Sequence, residues 1–425
     1  MRGMSAAYTS DLAQALSADV LQRLLRYVRI DTQSDRANAG SPSTPGQLEL
    51  GRLLVAELEQ IGLADVAIDD DGFVTATLPG NVPGTPTIGL LAHVDTSPDE
   101  TGAGVEPLVH RRYEGGTIEL PRGGTVLDPE RMPELLSKTG HDLVTTSGDT
   151  LLGADDKAGI AEVMAAVAYM AAHRDLPRPT LRVAFTPDEE IGQGAFRFDI
   201  ERFGAVCAYT FDGSEAGEYT DETFNGAEAD VTIHGVEVHP GFAHGKLVNA
   251  ARLAGRVLAA LPQDRLTPES TTDREGFIHV HAIEGTAGRA TIRAIVRDFD
   301  RDRLTEHIEL LRRTAEEVVA TEPRARLEFH SEDQYPNMRS HLEKFPEVAA
   351  AAEEALRREG YEPRRLPIRG GTDGSILSAR GLPTPNIFTG GHEFHSVREW
   401  ASVHDMASAA AVAVRLAGVW AERTD

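Results

Sequence analysis

The chain has 425 residues, 41% hydrophobic and 26% charged, with 42 Lys and Arg against 67 Asp and Glu and a formal net charge of −25. That length exceeds one ordinary core, so two domains are expected, and the acidic balance argues against a nucleic acid or an anionic membrane as partner. The single cysteine, Cys207, excludes an intrachain disulfide framework and any cysteine-based zinc site, and no apolar run approaches the ~20 residues of a membrane span. Met1 to Asp19 is polar and Ala-rich, without the apolar stretch of a secretory signal, so the cytoplasm is the expected compartment.

Apolar residues at helical spacing predict an opening helix over Asp19 to Ile30, and Ser41-Pro-Ser-Thr-Pro-Gly caps a second over Gln47 to Ile61. Val66 to Ile68 and Phe73 to Leu78 read as a strand pair. Thr87 to Ala92 is a continuous apolar run, as in a buried strand, and delivers His93-Val94-Asp95 at its C-terminal end. Thr96 to Gly148 is Gly- and Pro-rich and reads as long and irregular. Leu151 and Leu152 lead into Gly153-Ala-Asp155-Asp156-Lys157-Ala-Gly159 and a helical run from Ile160 to His173. Thr180 to Thr186 is a strand followed by Pro187-Asp188-Glu189-Glu190, and Val206 to Phe211 is another followed by Asp212-Gly213. After Asp221 the texture changes to strands over Ala227 to His234, Gly276 to Ala282, Arg289 to Phe299 and Ala325 to His330, with helices over Asn249 to Leu261 and Asp302 to Ala320. This is the pattern of an inserted α+β domain. A helix over Pro346 to Glu359, a loop at Arg369-Gly-Gly-Thr-Asp-Gly, a strand from Thr384 into Gly390-Gly-His392-Glu-Phe-His395-Ser and an amphipathic helix over Val403 to Glu422 complete the chain.

An acid at a helix start caps free N–H groups, which accounts for one of Asp155 and Asp156 but not both. Taken singly, the other polar strand ends have structural explanations too. Together, His93, Asp155, Glu189, Glu190, Asp212 and His395 match a dinuclear metal site of nitrogen and oxygen ligands. Asp95, two residues from His93, is spaced to fix that imidazole. A glutamate next to a ligand glutamate is placed to act as general base. His279-x-His281 has suitable spacing, but no acids converge there, and it reads as structural.

The blocks His93-Val-Asp95, Gly-Ala-Asp155-Asp-Lys-Ala-Gly, Asp-Glu189-Glu190-Ile-Gly, Phe-Asp212-Gly and His-Glu-Phe-His395-Ser resemble, in order, those of the M20 metallopeptidase family. Val238-His239-Pro-Gly, Val296-Arg297-Asp-Phe-Asp and Ile368-Arg369-Gly-Gly-Thr-Asp-Gly agree with its aminotripeptidase branch. The likeness runs from about Asp19 to the last helix and leaves residues 1–18 as an extension. It implies an α/β fold: a zinc-peptidase catalytic domain, residues 1–222 and 334–425, whose mixed sheet is covered by helices, and an inserted α+β lid and dimerisation domain, residues 223–333. It implies two Zn2+ per subunit, other divalent metals fitting the same donors. His93 and His395 would each bind one metal, Asp155 would bridge, and Glu190 and Asp212 would complete the set, with Glu189 as general base and Asp95 orienting His93. His395 is preferred to His392 because it matches the family's ligand position. His239 would reach the active site of the other subunit of a homodimer and stabilise the oxyanion. Arg297 and Arg369 are candidates for the substrate carboxylate, which a guanidinium holds bidentately, with Asn249 and Asp373 as lesser candidates. The implied reaction is release of the N-terminal residue of a tripeptide by metal-activated water. A dipeptidase or N-acyl-amino-acid deacylase of the same family, and a non-catalytic metal-binding protein on the same scaffold, are the alternatives.

Overall fold

The computed structural model describes residues 7–423; residues 1–6, part of the expected extension, lie outside them. Two compact units divide the described chain. One comprises the chain up to Asp221, Ser340–Leu366 and the chain from Thr372; the other comprises Glu222–Arg339 and Pro367–Gly371.

The first unit is organised on an eight-stranded sheet. Its order is Ala64–Ile68, Val74–Leu78, Leu181–Thr186, Ile88–His93, Cys207–Gly213, Asn386–Phe388, Glu218–Thr220 and Arg364–Arg365. The four central strands, from Leu181–Thr186 to Asn386–Phe388, run parallel, and an antiparallel strand flanks them on each side. Central parallel strands are covered on both faces, and Ile88–His93 is accordingly buried at every position. Helix Ala154–Ala172 lies against Ile88–His93 and Cys207–Gly213 and against helices Asp11–Tyr27 and Val403–Ala421. Gly159 permits the close approach: a Cβ there would come within 1.9 Å of the Phe211 carbonyl oxygen.

Three expectations are corrected here. The opening helix is Asp11–Tyr27, with Ser10 Oγ accepting from Ala13 N at 3.0 Å, rather than Asp19 to Ile30. Its first turns bury Ala13 and Leu16; alanine is too weakly apolar to make that stripe visible in the sequence. The last helix, Val403–Ala421, is not amphipathic: only Arg415 and Gly418 escape burial, because three other helices pack around it. The segment 96–148 is not irregular. It holds strands Leu108–His110, Ile118–Glu119, Val126–Leu127 and Leu143–Thr145 and helix Pro133–Ser137. These enclose a core of their own that includes Tyr113, Leu127, Leu135, Leu143 and Trp400. Leu143–Thr145 pairs with both Leu108–His110 and Trp400–Ser402. Strands of two or three residues are too short for alternation to show.

The second unit is a four-stranded antiparallel sheet ordered Phe277–Gly285, Arg289–Asp298, Asn225–His234 and Arg326–Tyr335. Ala227, Ala229, Val231 and Ile233, two residues apart, put one face of Asn225–His234 into a core shared with helices Ala250–Ala260 and Arg301–Ala320. Among the described residues no helix is long and apolar enough to cross a membrane.

Leu135 is fully buried in the small core of the 96–148 segment. Its replacement by alanine is expected to cost about 2–5 kcal/mol, measured by denaturant unfolding. A loss under about 0.5 kcal/mol, the range of surface substitutions, would mean that the segment does not pack as described.

Candidate active site

The polar residues picked out in the sequence gather at the C-terminal ends of the parallel strands, where open α/β sheets build their sites. His93 ends Ile88–His93, Glu189 and Glu190 follow Leu181–Thr186, Asp212 lies at the end of Cys207–Gly213, and His395 follows Asn386–Phe388 by way of Gly391–His392. Asp155 stands at the start of helix Ala154–Ala172, where it and Asp156 depart from helical geometry and are joined by a cis peptide.

Asp155 occupies the middle. Its Oδ1 lies 3.0 Å from His93 Nε2 and its Oδ2 lies 3.3 Å from His395 Nε2, one oxygen to each imidazole. Around His93 Nε2 stand Asp212 Oδ1 at 3.8 Å and Glu189 Oε2 at 3.9 Å. Glu190 Oε2 lies 3.0 Å from His395 Nε2. Donor atoms of His93, Asp155 and Glu190, and those of His93, Asp156 and Asp212, fall within 4.8 Å of one another. Asp156 also accepts from His93 N at 3.0 Å. His392 stands apart: its ring stacks on Trp400 at 4.2 Å, and burial lowers it to about 4.

The charges are out of balance. Burial, reinforced by neighbouring carboxylates, raises Asp212 and Asp156 well above the usual range. Burial does the same to Glu189, against the pull of His93, and burial with Asp155 pushes Glu190 up to about 7. Burial would also raise Asp155, but its bonds to His395 and His93 hold it below the usual range. Burial alone would lower His395; its contacts with Asp155 and Glu190 override that and push it up to about 12. Glu190 Oε1 is buried and has no hydrogen-bond partner. A crowd of carboxylates with an orphaned oxygen, completed by two imidazoles, is a donor set that fits divalent metal ions of the zinc kind.

Asp95 does more than orient His93. It is fully buried, with its carbonyl oxygen 3.1 Å and its Oδ1 3.3 Å from His93 Nδ1. The same carboxylate accepts from Glu189 N at 2.9 Å and Glu190 N at 3.1 Å, so it fixes the turn that carries both glutamates. Other supporting residues escaped the sequence reading. Asp188, at φ 57°, is held by Ser43 N at 2.8 Å and Gln47 Nε2 at 2.7 Å. Asp99 Oδ2 lies 3.2 Å from His395 Nδ1, and Glu399 accepts main-chain N–H groups beside Asp155. Asp373, a lesser candidate, is buried at the start of helix Asp373–Ala379, and burial pushes it up to about 6. Asp188 had a signal in its run of three acids; Glu399, alone between Arg398 and Trp400, had none.

Apart from Asp373, the substrate-binding candidates, His239, Asn249, Arg297 and Arg369, lie in the second unit. His239 is exposed at the start of Pro240–Phe242, and its Nδ1 accepts from Gly241 N at 3.1 Å, so the neutral ring carries its proton on Nε2. Asn249 caps helix Ala250–Ala260, accepting from Arg252 N at 2.9 Å. Arg297 donates to Ala227 O, Val296 O and Gln334 Oε1 and lies over the Tyr335 ring. Arg369 donates to Thr271 O, Thr271 Oγ1 and Glu275 O between the rings of Phe224 and Phe277, with its Nε buried and unpartnered.

Residues 152–418 match the model of peptidase family M20/M25/M40. A relative named peptidase T from Bacillus velezensis is 47% identical over 407 residues, 95% of this chain and 99% of its own. The crystal structure of aminopeptidase PepT from Bacillus cereus superposes with a TM-score of 0.73 at 21% identity, covering 95% of this chain and 99% of that one. A dinuclear metal-binding peptidase of the M20 family from Bacillus subtilis shares the fold at a TM-score of 0.63 and 17% identity, over 97% of this chain and all of its own. With the family model matched over more than half of the chain and a near full-length relative at this identity, the chain belongs to peptidase family M20/M25/M40 and, within it, to the peptidase T group.

Proposed function

We propose that the chain is a metal-dependent aminopeptidase that releases the N-terminal residue of tripeptides, with two divalent ions, zinc by the character of the donors, held in each subunit. The observation that carries this reading is the Asp155 carboxylate divided between His93 and His395. The names of the relatives, peptidase T among the sequences and aminopeptidase among the structures, support it.

His93, Asp212 and Asp155 Oδ1 would hold one ion, and His395, Glu190 and Asp155 Oδ2 the other. When bound, the ions supply Lewis acidity to the scissile carbonyl and lower the pKa of a water. Glu189, whose side chain reaches the edge of the His93 cluster, takes a proton from the attacking water and passes it to the leaving amine. Asp95 holds the main chain of Glu189 still while this happens. His239, with its proton on Nε2, suits donation to the developing oxyanion, in the active site of a partner subunit. Arg369 and Arg297 are the candidates for the C-terminal carboxylate, and either must exchange internal acceptors to take it bidentately. Asn249 shapes the adjoining helix start. A reducing compartment, the cytoplasm, accords with the lone buried thiol of Cys207.

Zinc-loaded enzyme is expected to cleave Ala-Ala-Ala but neither Ala-Ala nor N-acetyl-Ala-Ala-Ala. Glu189→Ala is expected to lower kcat by about 10²–10⁴-fold while zinc affinity is retained. Cleavage of the dipeptide or the acetylated peptide would move the enzyme to a sister activity, and an unaffected Glu189→Ala would overturn the assignment of the base. Zinc added to chelator-stripped protein at 100 times its Kd is expected to stabilise it by about 2.7 kcal/mol for each ion bound, and Asp155→Asn is expected to abolish most of that gain. An equal gain in the variant would remove Asp155 from the ligand set. Light scattering is expected to give about twice the 45.9 kDa chain mass. A monomer at working concentration would exclude His239 from acting in a partner's site.

A further inference from the structure

Glu399 is 1% exposed, and the hydrogen bonds of its carboxylate converge on the segment that presents Asp155. Its Oε2 accepts from Leu152 N and Gly153 N, both at 2.7 Å, and its Oε1 accepts from Asp155 N at 3.0 Å. These donors lie just before and within the first turn of helix Ala154–Ala172, where N–H groups have no acceptor inside the helix. Gly153, at φ 77°, turns the chain so that successive N–H groups point to one oxygen, a concavity that suits an anion. Three N–H bonds accepted by one carboxyl group fix the main chain on both sides of Ala154 and thereby the direction in which Asp155 leaves it. The other end of Glu399 is anchored as well: its N–H donates to Ser396 O at 3.1 Å, next to His395. One residue therefore ties together two segments, one carrying the shared carboxylate and the other carrying one of the two imidazoles.

We propose that Glu399 is a positioning residue for the metal pair, setting Asp155 so that it offers one oxygen on the His93 side and one on the His395 side. This rests on the reading of Asp155 and His395 as metal ligands. A residue that merely capped the helix would stabilise the fold and leave metal affinity alone. A positioning residue must show in metal affinity even where the fold is intact. Glutamine keeps one acceptor oxygen, enough for Leu152 N and Gly153 N, but turns an NH2 group towards Asp155 N. Alanine keeps nothing.

The test is zinc affinity of the full chain, stripped and then titrated in competition with a chromophoric chelator, for wild type, Glu399→Gln and Glu399→Ala. The melting temperature of each metal-free protein is measured in parallel. Affinity is expected to fall in the order wild type, glutamine, alanine, with a loss of about 10–100-fold for partners of this kind. In Glu399→Gln, kcat is expected to fall with KM nearly unchanged and the metal-free melting temperature within a few degrees of wild type. Wild-type zinc affinity in both variants, whatever their melting temperatures, would reduce Glu399 to a helix cap and overturn the proposal. Should the alanine variant not fold, the glutamine variant decides alone. Wild type that binds no zinc would instead overturn the metal reading, and this proposal with it.

Discussion

Like charges brought together out of water repel, and the first unit holds Asp155, Glu189, Glu190 and Asp212 around two imidazoles at the C-terminal ends of its central strands. The surrounding structure opposes that repulsion. Asp95 draws His93 and the Glu189–Glu190 main chain to one carboxylate, Asp188 anchors the same turn to Ser43 and Gln47, and Glu399 fixes the approach to Asp155. In each case the anion that does the holding is itself held by hydrogen-bond donors. What remains unsatisfied, the orphaned oxygen of Glu190 among crowded carboxylates, is where a cation fits.

The residues that gather in the candidate site were legible in the sequence because they stand at strand ends. A parallel strand is a continuous apolar run, and a charged residue that interrupts the run at its C-terminal end stands out, as His93, Glu189 and Asp212 do. The supporting residues were illegible for the opposite reason. Glu399 and Asp99 act through contacts with residues far away in the chain, and nothing beside them in sequence marks them. The same limit hid the core of the 96–148 segment, whose strand Leu143–Thr145 finds its partner in Trp400–Ser402. The first turns of the opening helix were hidden for a different reason, since one of their two buried positions, Ala13, is only weakly apolar.

The second unit gave up its strands and helices readily, since long antiparallel strands alternate and long helices repeat. Its functional residues were harder to read. Arg297 and Arg369 were singled out for the reach and geometry of a guanidinium, and the structure gives both an occupation within their own unit, between carbonyl oxygens and aromatic rings. An arginine that builds a wall and one that grips a substrate have the same letter. His239 differs in that its Nδ1 accepts from Gly241 N, which leaves the Nε2 of an exposed ring to donate outward.

The order of strands in the large sheet differs from their order in the chain, and this bears on how the protein is made. Asn386–Phe388 sits beside Cys207–Gly213, yet roughly 170 residues separate the two in sequence. At ribosomal speeds of about 5–20 residues per second, roughly 10–30 s pass between the synthesis of one strand and that of its neighbour. Throughout that interval Cys207–Gly213 has one open edge, apolar and ready to pair with another chain. The second unit, nearly all of it contiguous, leaves the ribosome during the same interval and can close its own sheet first. His395 arrives last of all, after the strand that completes the sheet, so a nascent chain cannot bring the residues of the candidate site together until translation is almost finished.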